Sequence, residues 1–176
     1  MLKTKDLPLF LLCIGFFIGA KFAYHAATTD QLYLFLYPIN FLVELSSNSI
    51  AQYSAENGFV HTSLGIHIEK SCSGFNFFLL CFSVLSYSLL KSTTSFSLKF
   101  ALLGLNLVLA YLLNIFINSA RIIASIGINN YADRLPVSAT ITHEAIGVIT
   151  NLIFLILIYL SAERLVKSTK LHAQTT

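Results

Sequence analysis

The sequence predicts an all-α, polytopic membrane helix bundle with about four spanning helices, a short interfacial or re-entrant helix and a small extracytoplasmic hairpin. Two features of the composition indicate this class: 56% of the 176 residues are hydrophobic, and only 11% are charged. The third observation is that the charges concentrate in short stretches between apolar runs, which a chain of this size is too small to bury. We therefore expect one integral membrane domain over residues 1–176.

The first apolar run covers residues 7–26 and is long enough to be the first span. Lys3 and Lys5 in front of it also fit the basic start of a secretory signal peptide. Residues 24–27 are a poor small-x-small cleavage site, however, because the first two are a tyrosine and a histidine. We expect an uncleaved anchor.

The two segments that follow are predicted to stay outside the hydrocarbon core. Residues 31–45 are apolar and aromatic but short for a crossing, and Pro38 removes a backbone donor near their middle. This pattern favours an interfacial or re-entrant helix. In residues 58–70, Gly58 and Gly65 stand near alternating apolar residues, which is typical of a short hairpin.

Three later apolar runs supply the remaining spans, over residues 75–90, 100–117 and 141–160. Each has close to the length that crosses about 30 Å of hydrocarbon at about 1.5 Å per helical residue. The polar residues 168–176 are expected to form a mobile tail.

The basic residues that flank the spans predict the orientation, because cytoplasmic flanks carry an excess of lysine and arginine. They fall into three groups: Lys3 and Lys5, Lys91 and Lys99, and Arg164, Lys167 and Lys170. An even number of spans places all three groups on one side. We therefore expect a multi-pass protein of the inner or plasma membrane with both termini in the cytoplasm, and residues 28–74 and 118–140 outside.

Cys72 differs from the other cysteines in its surroundings. Cys13 and Cys81 lie inside apolar runs, where a thiol acts as a small inert hydrophobe. Cys72 precedes the second span, where the positive end of a helix and a nearby arginine favour the thiolate, the nucleophilic form. A bridge from Cys72 to Cys81 is not expected, because the intervening helix separates them by about 13 Å. The alternative is a boundary cysteine without a chemical role.

Two further residues with suitable chemistry lie at predicted membrane boundaries. Arg121 follows the third predicted span, where it either anchors the helix at the headgroups or stabilises an oxyanion or carboxylate. His143 opens the fourth span and is either an interfacial polar residue or a general acid and base. With Cys72, three separately encoded groups are expected at one membrane face.

The sequence predicts no metal site and no cofactor. Glu144 follows His143, but the second histidine of the zinc protease pattern is missing. His61 and His67 are an even number of residues apart and are expected to share one hairpin face. Two histidines without a third ligand are a weak metal signal.

Together, the boundary motifs resemble the signature of the exosortase/archaeosortase family. They are Cys72-Ser73-Gly74 at the start of a span, Asn118-Ser119-Ala120-Arg121-Ile122 at the end of the next, and His143 with Gly147 opening the last. Members of that family are polytopic membrane cysteine transpeptidases that act on proteins with a C-terminal short motif, spanning helix and basic tail. The resemblance implies that Cys72 is the nucleophile, Arg121 the stabilising cation and His143 the proton-transfer residue.

The sequence departs from the family pattern in two ways. Many relatives have more spans, and many carry an arginine soon after the Cys-Ser-Gly motif, where this chain has Phe75 and Asn76. The partners that the resemblance implies are the lipid bilayer and a protein substrate with a C-terminal sorting signal. Whether the acceptor is an amine or water stays open.

Two other classes of function also stay open, and one is excluded. A non-enzymatic membrane scaffold or small transporter subunit explains the spans but treats Cys72, Arg121 and His143 as unrelated. A membrane acyltransferase working through a thioester shares the nucleophile but not the substrate. Nucleic-acid binding is excluded, because the net charge is only +3 and the basic residues form no stripe interleaved with aromatic ones.

Overall fold

The computed structural model describes the backbone of residues 6–93, 95–132 and 139–175, and the side chains of residues 6–93, 95–128 and 147–167. This structure is 80% helical, which confirms the predicted all-α fold class. Its α-helices are α1 (Leu7–Ala26), α2 (Tyr33–Ser47), α3 (Phe75–Ser92), α4 (Phe96–Ala132) and α5 (Ala139–Thr175). Helical stretches long and apolar enough to cross a membrane are Leu7–Ala26, Lys70–Ser92, Phe96–Ile128 and Gly147–Lys167. The chain is therefore a multi-pass membrane protein.

The first two helices agree with the sequence prediction. α1 begins and ends where the first span was predicted, at Leu7 and Ala26. α2 has 15 residues, which gives about 22 Å at about 1.5 Å per residue, less than the roughly 30 Å of a hydrocarbon core. Its buried side chains include Leu36, Ile39 and Val43, and its exposed ones include Leu34, Phe41 and Leu45. Both faces of this helix are therefore apolar.

α4 and α5 extend well beyond the apolar runs that predicted them. Hydropathy falls at the first polar side chains, whereas the hydrogen bonds that define a helix are made by the backbone and continue past them. Arg121 therefore lies inside α4, and its predicted position after the end of that helix is wrong. The helix assignment of α5 extends to Thr175, while the side chains of the predicted tail, residues 168–176, lie outside the described residues.

A small antiparallel sheet lies between α2 and α3. Its strands are β1 (Gln52–Ser54), β2 (Gly58–His61) and β3 (Ile66–Ile68), in that spatial order. β2 and β3 form the predicted hairpin, and β1 adds a strand that the sequence pattern did not predict.

The register of the hairpin separates its two histidines. Val60 pairs with His67 and His61 pairs with Ile66. Because directly paired residues share a face and neighbours in a strand alternate, His61 and His67 lie on opposite faces. The prediction that they share a face is wrong, since even spacing applies along one strand and not across a turn. His61 is fully buried and His67 is exposed.

The chain divides into two compact units, each assembled from separate parts of the sequence. The terminal unit comprises Met1–His25, Asn76–Leu113 and Ile153–Thr176. The central unit comprises Ala26–Phe75 and Asn114–Leu152, and so contains α2, the sheet and all three predicted site residues. The first half of α4 belongs to the terminal unit and its second half to the central unit.

A buried ion pair lies in the terminal unit, where Lys99 donates a hydrogen bond to the carboxylate of Asp6. The two side chains are only 2% and 10% exposed. The sequence-based orientation counted Lys99 among the free basic charges, whereas its charge is balanced by Asp6. The side of the membrane on which each terminus lies stays a prediction.

Candidate functional site

Cys72 lies in a short 3₁₀ helix, Lys70–Ser73, that precedes α3. Gly74 ends it with a φ of 66°, in the left-handed region, and α3 begins at Phe75. The sequence predicted the thiol at the N-terminus of the spanning helix, whereas a separate turn carries it. Residues 70–74 are called the Cys72 turn below.

Two buried asparagines of α4 hold the Cys72 turn by its carbonyl groups. Asn114 Nδ2 donates to Ser73 O at 3.0 Å, and Asn118 Nδ2 donates to Cys72 O. The last carbonyls of a helix have no partner within it, so these amides pair groups that would otherwise be buried and unsatisfied. Asn114 and Asn118 are 0% and 1% exposed. Being four residues apart, they lie on one face of α4.

Gly74 allows the Cys72 turn to lie against α4. A Cβ at this position would collide with Oδ1 of Asn114 and would lie 3.0 Å from Cγ of Asn118. Its φ of 66° is also a conformation that side chains with a Cβ rarely adopt. A glycine is therefore required at this position of the Cys-Ser-Gly motif for two local reasons: the backbone conformation and the lack of space for a Cβ.

The Cys72 thiol is nearly buried, with 8% of the residue exposed. Its Sγ lies 3.7 Å from the carbonyl oxygen of His67, to which it donates, and 3.7 Å from Oγ of Ser71. Ser71 in turn donates to the carboxylate of Glu69 at 3.2 Å. Because thiols form weak hydrogen bonds, the position of the sulfur depends mainly on the backbone of its turn.

Arg121 follows Asn118 by three residues on α4, which places it on the same face about one turn further along. Its guanidinium interacts electrostatically with the Cys72 sulfur. Its Nε is buried and has no hydrogen-bond partner among the described residues. A Cβ on Gly147 would lie 3.3 Å from Nη1 of Arg121, so α5 also packs closely against this side chain. The predicted thiol and cation thus belong to one compact unit, and Asn118, which binds the carbonyl of Cys72, lies one helical turn from Arg121.

His143, the third predicted site residue, belongs to α5 and precedes Gly147 by about one helical turn. Its side chain lies outside the described residues. The structure therefore gives the helix that carries His143 but not the distance of its imidazole from Cys72 or Arg121. The role of His143 stays a prediction.

Sequence analysis missed Asn114 and included Asn118 only as part of a family motif. The signal that identifies both is a polar stripe, because Asn114, Asn118 and Arg121 are spaced by four and three residues along an apolar helix. Polar side chains inside a membrane helix are costly and are commonly functional. This stripe is readable in the sequence, but its partner, the Cys72 turn, is not.

A second buried polar cluster of the central unit surrounds His61. Its Nε2 lies 2.8 Å from Oδ1 of Asn40, and its Nδ1 lies 2.8 Å from Oγ of Ser49. Burial lowers the pKa of His61, and the nearby Glu44 carboxylate partly opposes this effect. The neutral ring donates to Asn40 and accepts from Ser49, which links α2 to β2.

The sequence predicted no metal site, and the described side chains can be searched for possible ligands. Within the part of the chain whose side chains are described, no three His, Cys, Asp or Glu side chains are placed to hold a metal ion. Cys13, Cys72 and Cys81 are all free thiols.

Comparison with known proteins gives no family assignment. A scan against models of protein families, a search of curated proteins and a search of solved structures found no match.

Proposed function

We propose that the chain is a membrane-embedded cysteine transpeptidase or protease, similar to members of the exosortase/archaeosortase family. Its substrates are proteins whose C-terminus carries a short motif, a transmembrane helix and a basic tail, and it cleaves and sorts them. The observation that supports this proposal most is that Asn118 binds the carbonyl of Cys72 one helical turn from Arg121, within one compact unit.

Cys72 supplies the nucleophile. Its thiolate attacks the carbonyl carbon of the scissile peptide bond, and the carbonyl oxygen becomes an oxyanion. When this intermediate collapses, the C–N bond breaks, the departing amine takes a proton from His143, and a thioester remains on Cys72. An acceptor amine or water then attacks the thioester, gives its proton to His143, and releases the thiolate.

Arg121 stabilises negative charge at two stages of this reaction, first on the sulfur and then on the oxyanion. A guanidinium stays protonated and presents its donors in a rigid fork, so it changes neither charge nor shape as the reaction proceeds. Its Nε–H is buried and has no partner in the part of the chain with described side chains. In such a desolvated place, charge interactions are stronger than in water.

His143 is assigned the proton transfers, because an imidazole exchanges protons near neutral pH. α5 packs against Arg121 at Gly147, and His143 stands four residues before that contact. Residues four apart share a face of a helix, which supports this assignment.

A scaffold or transporter subunit accounts equally well for the spanning helices. It gives no reason for the concentration of unpaired polar atoms in the second half of α4. Among the described residues, Asn114 Oδ1, Asn118 Oδ1 and Arg121 Nε are buried there without a partner, against Asn106 Nδ2 alone in the first half. Each such atom costs about 1–3 kcal/mol. A cost of this kind is expected where side chains are arranged for chemistry rather than for stability.

The test follows the C-termini of membrane proteins in cells that carry the wild-type chain or Cys72→Ala. We expect Cys72→Ala to abolish removal of the C-terminal helix and basic tail, so that full-length substrates accumulate. Cys81→Ala is the matched control, because Cys81 is also a buried free thiol but lies within α3. Normal processing in Cys72→Ala cells would contradict the proposal.

We place the site on the extracytoplasmic side, following the basic flanks of the spans. A membrane-impermeant thiol reagent added to intact cells is expected to label Cys72. Labelling that requires access from the cytoplasm would contradict this orientation without affecting the assigned nucleophile.

A further inference from the structure

We propose that Asn114 and Asn118 are positioning residues that hold the Cys72 thiol in place relative to Arg121. This role rests on the proposed function, but the experiment that tests it needs no substrate. The inference rests on the two hydrogen bonds that these side chains donate to consecutive carbonyls of the Cys72 turn.

The sulfur itself is held weakly. Its two contacts, with His67 O and Ser71 Oγ, are both 3.7 Å long, and Ser71 is exposed. The carbonyls of Cys72 and Ser73, in contrast, are held by amides that are almost fully buried. The place of the thiol is therefore set by the asparagines rather than by its own hydrogen bonds.

α4 positions both groups, since it carries Arg121 and binds the Cys72 turn through Asn118. Asn118 binds the carbonyl of Cys72, and Arg121 follows Asn118 by three residues, about 4.5 Å along the axis of α4. The distance between sulfur and guanidinium is thus fixed within one rigid element and its bound turn. Displacing a reacting group by about 1 Å lowers a rate by roughly 100-fold, so such a fixed distance matters for catalysis.

The two asparagines contribute to the site through their hydrogen-bond donors and not through their acceptors. Both Nδ2 groups are used, whereas both Oδ1 atoms are buried and unpaired within the described side chains. Leucine would fill similar space without burying two unpaired acceptors. Asparagine is favoured here because it can donate to the carbonyls of the turn.

The test measures alkylation of Cys72 by a maleimide as a function of pH, in a chain with Cys13→Ser and Cys81→Ser so that Cys72 is its only thiol. The positioning variants are Asn114→Leu and Asn118→Leu. Asn106→Leu is the matched control, because Asn106 is a buried asparagine of the same helix but belongs to the terminal unit. Each variant is also made with Arg121→Gln.

We expect Asn114→Leu and Asn118→Leu to move the pH dependence of alkylation to that of the chain carrying Arg121→Gln alone. The cause is that a loosened turn lets the thiol move away from the cation. With Arg121→Gln already present, the same changes are expected to add no shift, because no cation remains to lose. Asn106→Leu is expected to stay within about twofold of its parent in both backgrounds.

An unchanged pH profile in the positioning variants overturns the inference, and so does a shift of equal size with Arg121→Gln present. Asn114→Ala and Asn118→Ala remove the same donors without adding volume, and the same outcomes apply to them if a leucine variant fails to accumulate. An unchanged profile together with lost processing in Cys72→Ala refutes only the positioning role. A shifted profile together with normal processing in Cys72→Ala refutes only the proposed function.

Discussion

The two units of the chain use buried polar groups in different ways. In the terminal unit, the charges of Lys99 and Asp6 are paired with each other, and α1 exposes a series of large apolar side chains. In the central unit, buried asparagines donate to main-chain carbonyls, and one buried histidine joins a helix to a strand. The first arrangement neutralises charge in apolar surroundings, and the second fixes the geometry of a turn.

α4 shows the same difference within a single helix. Its first half, in the terminal unit, buries Leu103, Asn106 and Ala110. Its second half, in the central unit, carries Asn114, Asn118 and Arg121 on the face that meets the Cys72 turn. Length and apolar composition make the whole helix a span, whereas the polar stripe gives only its second half a candidate function. The buried charges of the terminal unit and the turn of the central unit can therefore be perturbed separately.

The largest effect is expected in the terminal unit, from Lys99→Met. Removing one member of a buried pair leaves the other charge unpaired and costs about 3–5 kcal/mol of unfolding free energy. The double variant Asp6→Leu with Lys99→Met is expected to recover much of this loss, because neither charge is then buried alone. Thermal unfolding of the detergent-solubilised chain measures both. A Lys99→Met protein as stable as wild type would show that the pair is not buried.

The next effect is expected at the central turn, from Gly74→Ala. The positive φ alone costs about 1–3 kcal/mol, and the added methyl group would also displace Asn114. Gly104→Ala is the matched control, because a Cβ there meets nothing within 4 Å and lies inside α4, where alanine is favoured by about 0.5–1 kcal/mol. Equal unfolding temperatures for the two variants would contradict the packing of Gly74 against α4.

A smaller, pH-dependent effect is expected from His61. Burial lowers its pKa in the folded chain below the ordinary 6.5, so the unfolded chain takes up the proton first as the pH falls. Stability is therefore full above about pH 6.5 and decreases below it, by at most about 1.4 kcal/mol per pH unit. His61→Gln is expected to flatten this slope, and His67→Gln, on the exposed face, to retain it. A slope that persists in His61→Gln would assign it to another group.

The smallest effect is expected at the exposed Tyr53, whose hydroxyl donates to the carboxylate of Asp30 at 2.6 Å. This hydrogen bond raises the pKa of Tyr53 to about 12, since ionisation would remove the donated proton and place two negative charges together. Tyrosinate absorbance, taken as the difference between wild type and Tyr53→Phe, is expected to show one group that titrates late. In Asp30→Asn the same group should titrate earlier. An identical midpoint with and without Asp30→Asn would mean that the two side chains do not meet in solution.

The sequence was sufficient to predict the helices, because membrane spans depend on local apolar length. It predicted the first and last residues of α1 and identified Cys72 as the cysteine outside the apolar runs. It ended the third span near residue 117, because hydropathy does not detect a helix that continues through polar residues. The position of Arg121 within α4 could not be obtained from hydropathy for the same reason.

Long-range pairings were not predictable. The Cys72 turn and Asn118 are separated by 46 residues, and nothing local in either segment indicates that one binds the other. The faces of His61 and His67 depend on hairpin register, which is set by the turn and not by spacing along the chain. The sequence thus identifies Cys72 and Arg121 as candidates, but their placement in one compact unit is a property of the fold.

The most direct test of the proposed chemistry is mass spectrometry of Cys72 after rapid acid quenching of membranes that contain the chain and its native substrates. We expect Cys72, and neither Cys13 nor Cys81, to carry a peptide as a hydroxylamine-sensitive thioester. Its level should rise when acceptor amines are depleted and fall in Arg121→Gln. A Cys72 that never carries a peptide while C-terminal helices are still being removed, or one that carries a fatty acyl group instead, would contradict the account.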